Sequence, residues 1–456
     1  MPAAPPTRTT FAIGFDDPVA PHRSAVYGLQ HLLALTGLWV FPTSLGAAVG
    51  LATEDVAKII QGCFLLTGLV TILSSSRILR LPIVQGPTAA LLVALITTGG
   101  AYGIDVAFGS MVVAGALSLI LAFPLFKLGV YGHVAKFIAN PLVFGTMFLV
   151  LGAQLASVGV SGWFQAMGDH GVWASVVVAV VAATAVAACM IFGGRTIVKR
   201  MAILIGVVAG TLTAAALGAW TLPDLSAFSF VGLPEFAPFG LGFAWGAVPI
   251  MMVGFLQAAG ESMGVYALLG KWSGQRIDVN RANRGLFVEF LGSAVGGLFG
   301  GIGSTSYPEN SGILRVSGVA SRRVTIAAGI FAVVLAFLPQ FALFIASLPG
   351  PALSAAATIL FGVITFAGVQ QLGNVRWDDL NLVVAAVCFI VPVGLQAMPA
   401  EIVAQMSPTI SGIITSPMMM STVMLIVLHP LVNLVIRPLL GRRQPDAELD
   451  LEEPAA

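Results

Sequence analysis

Three carboxylates interrupt otherwise apolar stretches of the chain: Glu261, Glu289 and Glu309. A carboxylate in apolar surroundings is costly unless paired or hydrogen-bonded, so each is expected to face an interior or a wet cavity. Glu261 lies in Gln257-Ala258-Ala259-Gly260-Glu261-Ser262-Met263-Gly264. Its small neighbours let a second backbone or a flat ligand come close; a plain helix–helix hydrogen bond is the alternative. Glu289 has Gly285 and Gly292 nearby and reads as an interior group, open between packing or gating and a share in the chemistry. Glu309 follows Pro308 and the stretch Ser304-Thr305-Ser306-Tyr307, the pattern of a half-helix that begins after extended chain. Free backbone N–H groups at such a start favour an anion or donate to ligand oxygens. Asn310 adds an amide with donors and acceptors. Together these groups match a planar heterocycle with N–H and C=O edges, and helix capping alone is the competing reading. Gln30 and His31 lie in the first apolar run, where His31 is open between a core hydrogen bond and pairing with a site acid. Gln85 and Gly86 sit in a second broken stretch, Arg80-Leu81-Pro82-Ile83-Val84-Gln85-Gly86-Pro87, placed to face the same centre.

The elements that hold these groups follow from composition. The chain has 456 residues, 57% hydrophobic and 9% charged, with a mean hydropathy of +0.97. Soluble domains carry roughly 25% charged residues, so lipid must be the solvent over most of this length. The 52 glycines and 26 prolines suit closely packed and broken helices. Cys63, Cys189 and Cys388 lie in apolar runs with neither disulfide nor metal spacing. No short apolar segment with a cleavage site stands at the N-terminus, so no cleaved leader is expected.

Apolar runs predict spans at 26–48, 56–74, 105–124, 138–157, 173–193, 201–220, 244–268, 284–301, 324–345, 350–370, 380–397 and 415–436, with two broken ones near 80–100 and 303–318. The fold class expected is an all-α polytopic membrane protein with 14 transmembrane segments. Charge tests that count. With the N-terminus inside, all but Lys58 and Arg315 of the 21 lysines and arginines fall on the cytoplasmic side, while Glu54, Asp55, Asp105, Asp169, Asp224, Glu235 and Glu401 fall opposite. The broken segments are the third of each group of seven. Seven is odd, so the second group starts from the other side, which makes two inverted seven-span repeats plausible. Paired interrupted spans of this kind point to a transporter's central site.

The stretch Glu309-Asn310-Ser311-Gly312-Ile313-Leu314-Arg315-Val316-Ser317-Gly318 resembles the signature of the nucleobase–ascorbate transporter family. That pattern is Gln, Glu or Pro, then Asn, any residue, Gly, four variable residues, Thr, then Arg, Lys or Gly; Ser317 replaces Thr and keeps the hydroxyl. The Gln30-His31 pair, Glu-Ser-x-Gly at Glu261, and Val319-Ala320-Ser321-Arg322-Arg323 also look like family features, in order along almost the whole chain. The resemblance implies a core domain from spans 1–4 and 8–11 (26–130 and 241–345) and a gate domain from spans 5–7 and 12–14 (131–240 and 346–437). Cytoplasmic tails are expected at 1–25 and 438–456. Substrate would lie between core and gate, held by Glu261, Glu309, Asn310 and Ser311, with backbone near Gln85 and Gly86 completing the pocket. Homodimers through the gate domains, and movement of core against gate, are implied too. Arg315 departs from the family, which usually has a small or apolar residue there. It is open between snorkelling to the surface and pairing with a core acid.

The expected activity is proton-coupled nucleobase uptake without a cofactor. Burial disfavours the charged carboxylate, so one acid takes up a proton as substrate binds, with His31 or Glu289, supported by Gln30, Arg315 and Ser317, sharing it. Glu-Ser-x-Gly-x-Tyr looks like oxopurine carriers, for xanthine or uric acid; the Glu-Asn opening looks more like uracil carriers. The alternative is an anion carrier of the sulfate type, which Arg315 would suit but Glu309 would repel. A channel is a weaker rival, and the chain has no HExxH or GxSxG run for an intramembrane enzyme. Expected partners are the base, the proton, the lipid bilayer and a second copy, with no nucleic acid. The unprocessed N-terminus and short loops suit a bacterial inner membrane with both termini cytoplasmic. The acidic tail from Asp446 to Glu453 reads as solvated chain.

Overall fold

A computed structural model describes residues 11–123, 129–131, 137, 140–194, 196–275 and 277–442. The tails at 1–10 and 443–456, with Lys127, Lys136, Arg195 and Arg276, lie outside the described residues, as does the side chain of Glu309. Helices dominate. In chain order they are α1 (Pro21–Leu33), α2 (Thr36–Val49), α3 (Thr53–Ser75), α4 (Ala89–Tyr102), α5 (Ile104–Leu121), α6 (Pro141–Ser161), α7 (Gly171–Phe192) and α8 (Ala202–Ala216). There follow α9 (Val248–Ser273), α10 (Val279–Leu298), α11 (Pro308–Ser317), α12 (Arg322–Ala336), α13 (Pro339–Ala346), α14 (Gly350–Leu372), α15 (Asp379–Gly394) and α16 (Pro417–Pro430). Among the described residues nine helical stretches are long and apolar enough to cross a membrane, or ten if the bent pair α12–α13 is one span.

Most predicted spans begin and end within a few residues of these helices. The stretch 324–345, expected as one span, is instead two helices bent by 87°. Pro339 accounts for the break, because it cannot continue a helix and restricts the residue before it. Within the stretch expected as a tail, the chain from residue 11 packs against the fold. Phe11, Phe15 and Val19 are buried, and residues 13–17 run as a strap beside the start of α12. Ile13 pairs in parallel with Val319, and Arg322 N donates to Phe15 O at 3.0 Å.

Two helix groups pack against each other through one shared apolar core, and the second adds smaller apolar clusters of its own. In the first, α3 lies along α12, α10 along α5, and α9 along α4. In the second, α6 lies along α14, α7 along α8, and α15 along α16. Both use glycine for close crossings. A Cβ at Gly68 would come 2.6 Å from Gly329 O, and one at Gly145 would come 2.9 Å from Gly368 O. Without a hydrophobic drive between helices in lipid, such backbone proximity supplies the packing attraction.

The two broken segments meet. Gln85–Pro87 (β1) pairs antiparallel with Ser304–Ser306 (β2), in the register Gln85↔Ser306, Gly86↔Thr305 and Pro87↔Ser304. Helix α4 departs from the end of β1 and α11 from the end of β2. Extended backbone is tolerated at membrane depth only where protein satisfies it. Here the ladder does so, extended by Thr88 N to Gly303 O (2.9 Å) and Tyr307 N to Val84 O (3.1 Å).

The last span ends on a buried polar knot. Arg437 is 1% exposed and donates to Asp378 Oδ2 (2.5 Å) and Oδ1 (2.9 Å), to Asn433 Oδ1 (2.6 Å) and to Asn381 Oδ1 (2.7 Å). A π-helical stretch, Leu431–Ile436, brings it there. Arg437's hydrogen bonds hold the Asp378 carboxyl below its usual value of 3.8. The stabilisation is therefore complete above that value and is lost as pH falls through the lowered one. Arg437→Ala is expected to cost about 1.5–3 kcal/mol, the range for hydrogen bonds to a charged group, read as a lower thermal unfolding midpoint in detergent at pH 7, with the gap from wild type narrowing only below about pH 4.

Candidate functional site

The strand pair is the floor of a buried polar network. Ser262 Oγ donates to Glu289 Oε2 at 2.5 Å and accepts from Ser306 N at 2.9 Å. Gln85 Nε2 reaches Ser306 Oγ (2.9 Å) and Glu289 Oε2 (3.3 Å), while its backbone N–H donates to Thr71 Oγ1 at 2.9 Å. Thr305 Oγ1 donates to Ala258 O and lies 3.1 Å from Ser262 Oγ. These bonds tie α9, which carries Glu261 and Ser262, and α10, which carries Glu289, to both strands. Glu289 is fully buried, and its Oε1 has no hydrogen-bond partner among the described residues.

Glu261 faces the opposite way, into a cavity between the two helix groups. Its Oε2 accepts from Thr88 Oγ1 at 3.1 Å. From the first group the cavity is lined by Phe41, Pro87, Thr88, Glu261, Thr305 and Tyr307. From the second it is lined by Phe148 and Leu151 on α6 and Leu360 to Ala367 on α14. One wall is thus polar and the other apolar and aromatic. Tyr307 closes the base of the polar wall, its hydroxyl donating to Pro87 O at 2.6 Å. Gly86 permits this, since a Cβ there would meet the Tyr307 ring at 2.7 Å.

Half-helix α11 begins beside the cavity. Pro308 occupies its first turn, and Tyr307 at its N-cap supplies no side-chain cap. Asn310 is buried with its Oδ1 3.1 Å from His31 Nδ1, which joins α1 to α11. Its Nδ2 is buried without a hydrogen-bond partner among the described residues. Ser311 is buried one residue further on.

Among the residues singled out from sequence, the fold gathers Gln85, Gly86, Glu261, Glu289, His31, Asn310 and Ser311 around the strand pair. Three lie apart. Gln30 is half-buried on α1 and makes no side-chain hydrogen bond among the described residues. Ser317 serves the end of α11: its Oγ donates to Leu314 O (3.3 Å) and accepts from Val319 N (3.2 Å). Arg315 is exposed, with its guanidinium 5.1 Å from the centre of the Trp272 ring, and forms no ion pair with an acid among the described residues. Its place two residues before the end of a short helix carries it to the surface. Sequence reasoning did not single out Thr88, Ser262, Thr305 and Tyr307. Ser262, Thr305 and Tyr307 stand in the quoted motifs and Thr88 directly follows one, but hydroxyl residues in broken segments read equally well as caps. Phe148 and the α14 wall carried no signal, because an apolar residue facing a cavity looks like one facing lipid.

An integral helical membrane protein with a mainly apolar cavity between two helix groups, and one carboxylate in its wall, has the build of a permease. The Permease family profile for xanthine and uracil carriers matches residues 22–401, and the chain belongs to that family, the nucleobase–ascorbate transporters, which are permeases and not enzymes. It is 26% identical to the uric acid permease PucK of Bacillus subtilis, over 88% of this chain and 94% of that one. It is 25% identical to the xanthine permease of Bacillus subtilis, over 93% and 96%. The fold is similar to the transmembrane domain of a cyanobacterium bicarbonate transporter, BicA, with a TM-score of 0.60, 16% identity, and coverage of 86% of this chain and 97% of that one.

Gly86→Ala should push the Tyr307 ring from Pro87 and distort the strand pair. Overpacking of this kind costs about 1–3 kcal/mol. We expect the protein in the membrane with a lowered unfolding midpoint, while Gly362→Ala, where a Cβ meets nothing within 4 Å, leaves the midpoint unchanged.

Proposed function

We propose that this chain imports a nucleobase together with a proton, an oxopurine such as xanthine or uric acid first and uracil second. The observation that carries the proposal is the two-faced cavity: Glu261 and hydroxyl groups on one side, Phe148 and aliphatic side chains on the other. A flat heterocycle has an apolar face for the second wall and a hydrogen-bonding edge for the first. Glu261 accepts from a ring N–H. The uncapped first turn of α11, at Glu309, Asn310 and Ser311, offers backbone N–H groups to a ring carbonyl, and Asn310 Nδ2 has a donor to spare. The uric acid and xanthine permeases among its relatives support the oxopurine, as does Glu-Ser-x-Gly-x-Tyr from Glu261 to Tyr266; the Glu-Asn pair opening the signature supports uracil. A bicarbonate carrier of like fold speaks for shared architecture, whereas a carboxylate in the cavity favours a cargo with a ring N–H to donate over an inorganic anion such as sulfate.

Proton coupling is assigned to Glu289, with His31 at the second polar joint. Glu289 Oε1 is buried and unpartnered, which suits a proton on that atom. The helices near the expected spans, including the broken pair, support fourteen crossings as two inverted repeats. The first helix group then acts as the core and the second as the gate, and the core slides against the gate to expose the cavity alternately. A homodimer through the gate, an inner-membrane location and cytoplasmic termini complete the reading, the last supported by the charge asymmetry.

The test is uptake of labelled xanthine and labelled uracil into cells making the protein, with and without a protonophore. Uptake of one base should be saturable, blocked by its analogues and abolished by the protonophore. Glu261→Gln keeps the shape but turns an acceptor pair into a mixed group, and should weaken apparent affinity about tenfold or more. Glu309→Ala should lower uptake as strongly; full activity in that variant would remove Glu309 from the site.

A further inference from the structure

A second cavity lies away from the central one, on the face where basic residues collect. It opens between the turn after α3 and the start of α10, has a volume of about 490 Å3, and is lined mostly by polar groups. Four guanidinium groups face it, from Arg77, Arg80, Arg281 and Arg284, against two carboxylates, Asp16 and Asp278. Both carboxylates are already engaged. Asp16 pairs with Arg322 and, at 3.4 Å, with Arg80. Asp278 caps α10 by accepting from Arg281 N at 2.7 Å.

The cavity is built rather than a chance gathering of surface charge. Arg281 Nε donates to Leu79 O (3.0 Å) and its Nη2 to Arg80 O (3.1 Å), and both Nη atoms lie 3.2 Å from Gln275 Oε1. One arginine is therefore spent on fixing the turn that presents two others. The turn holds Arg80 at a φ of +61°, a left-handed conformation that disfavours a residue with a Cβ. Arg77 and Arg284 are exposed and have no hydrogen bond or ion pair among the described residues. Like charges held together in this way repel unless an anion completes them.

We propose that this cleft binds a phosphate group. The guanidinium fork matches phosphate oxygens in pairs, and several forks around a polar cavity suit a group with three or more acceptor oxygens better than a single carboxylate. The phosphate comes either from a soluble compound or from an anionic lipid headgroup. Arg77 and Arg284 close on it, Arg80 follows with its remaining N–H groups, and Arg281 holds the frame. The bound group joins the turn leading to β1 to the helix that carries Glu289, so it stabilises the first helix group.

The full chain would be reconstituted in phosphatidylcholine nanodiscs and unfolded by heat, with intrinsic tryptophan fluorescence as the readout. One arm adds sodium pyrophosphate at constant ionic strength. The other replaces part of the lipid with phosphatidylglycerol and adds no phosphate. A rise of the midpoint in the first arm identifies a soluble phosphate; a rise only in the second identifies a headgroup. In either case the Arg77→Ala/Arg284→Ala double variant should require about tenfold or more ligand for the same rise. Arg23→Ala/Arg323→Ala, which removes the same charge from exposed positions outside the cavity, should behave as wild type. No rise in either arm, a rise that survives in the first double variant, or an equal loss in the second, would overturn the proposal.

Discussion

Extended backbone deep in a bilayer has no water to bond to, and the architecture follows from where this chain places it. Two short stretches leave the helical pattern, and each supplies the hydrogen-bond partner that the other lacks. That mutual need holds together segments more than two hundred residues apart in sequence. It also fixes two half-helices, whose first turns retain N–H groups that no carbonyl of their own helix can reach. The site proposed for the ligand therefore arises from the same constraint that closes the fold. The surrounding hydroxyls complete it: Thr71, Ser262 and Ser293 each accept from a strand or strand-edge backbone N–H, so the helices behind the ribbon share the task of satisfying it.

Much of this was legible in the residues. Apolar length located the helices because lipid demands about twenty apolar residues per crossing, and most boundaries fell close. The breaks near Gln85 and Ser304 were marked by Pro87 and Pro308, and His31, open between a core hydrogen bond and pairing with a site acid, meets Asn310 of the signature. The pairing of the two breaks was not legible, since register is set by contacts between distant segments. The strap at 13–17 was missed because Phe11, Phe15 and Val19 stand among polar residues, where spacing alone does not say what they cover. Arg315 was open between a core partner and the surface. The distance from the start of α11 decides it, because one short helix is enough to carry a side chain from the cavity to Trp272.

Charge is handled in three ways along the chain, and the difference separates structure from chemistry. Arg437 and Asp378 satisfy each other almost fully, with Asn381 and Asn433 taking the remaining N–H groups, so that knot is a fastening. Lys58 joins Asp55 and Glu235 at 3.3 Å each and ties the start of α3 to the loop before α9, a more exposed fastening whose strength salt will screen. Glu289 has no such counter-ion among the described residues and keeps one oxygen without a partner. Groups with nothing left to bind hold a protein in shape, while groups with an atom to spare can exchange it.

The two carboxyls of the first helix group stand on opposite sides of a single element. Glu261 meets Thr88, at the end of β1, on the cavity side; Glu289 meets Gln85, at its start, and Ser262 on the far side. A cargo that takes up Glu261 and a proton that arrives at Glu289 therefore both bear on the same few residues of extended chain. Gln85 is the narrowest point of that link, because its one amide nitrogen reaches both Glu289 and Ser306. Under the reading of proton-coupled uptake, neither event needs to be felt at a distance. Each changes the hydrogen bonds of the ribbon that positions the other, and an interior without a second solvent leaves those bonds no substitute.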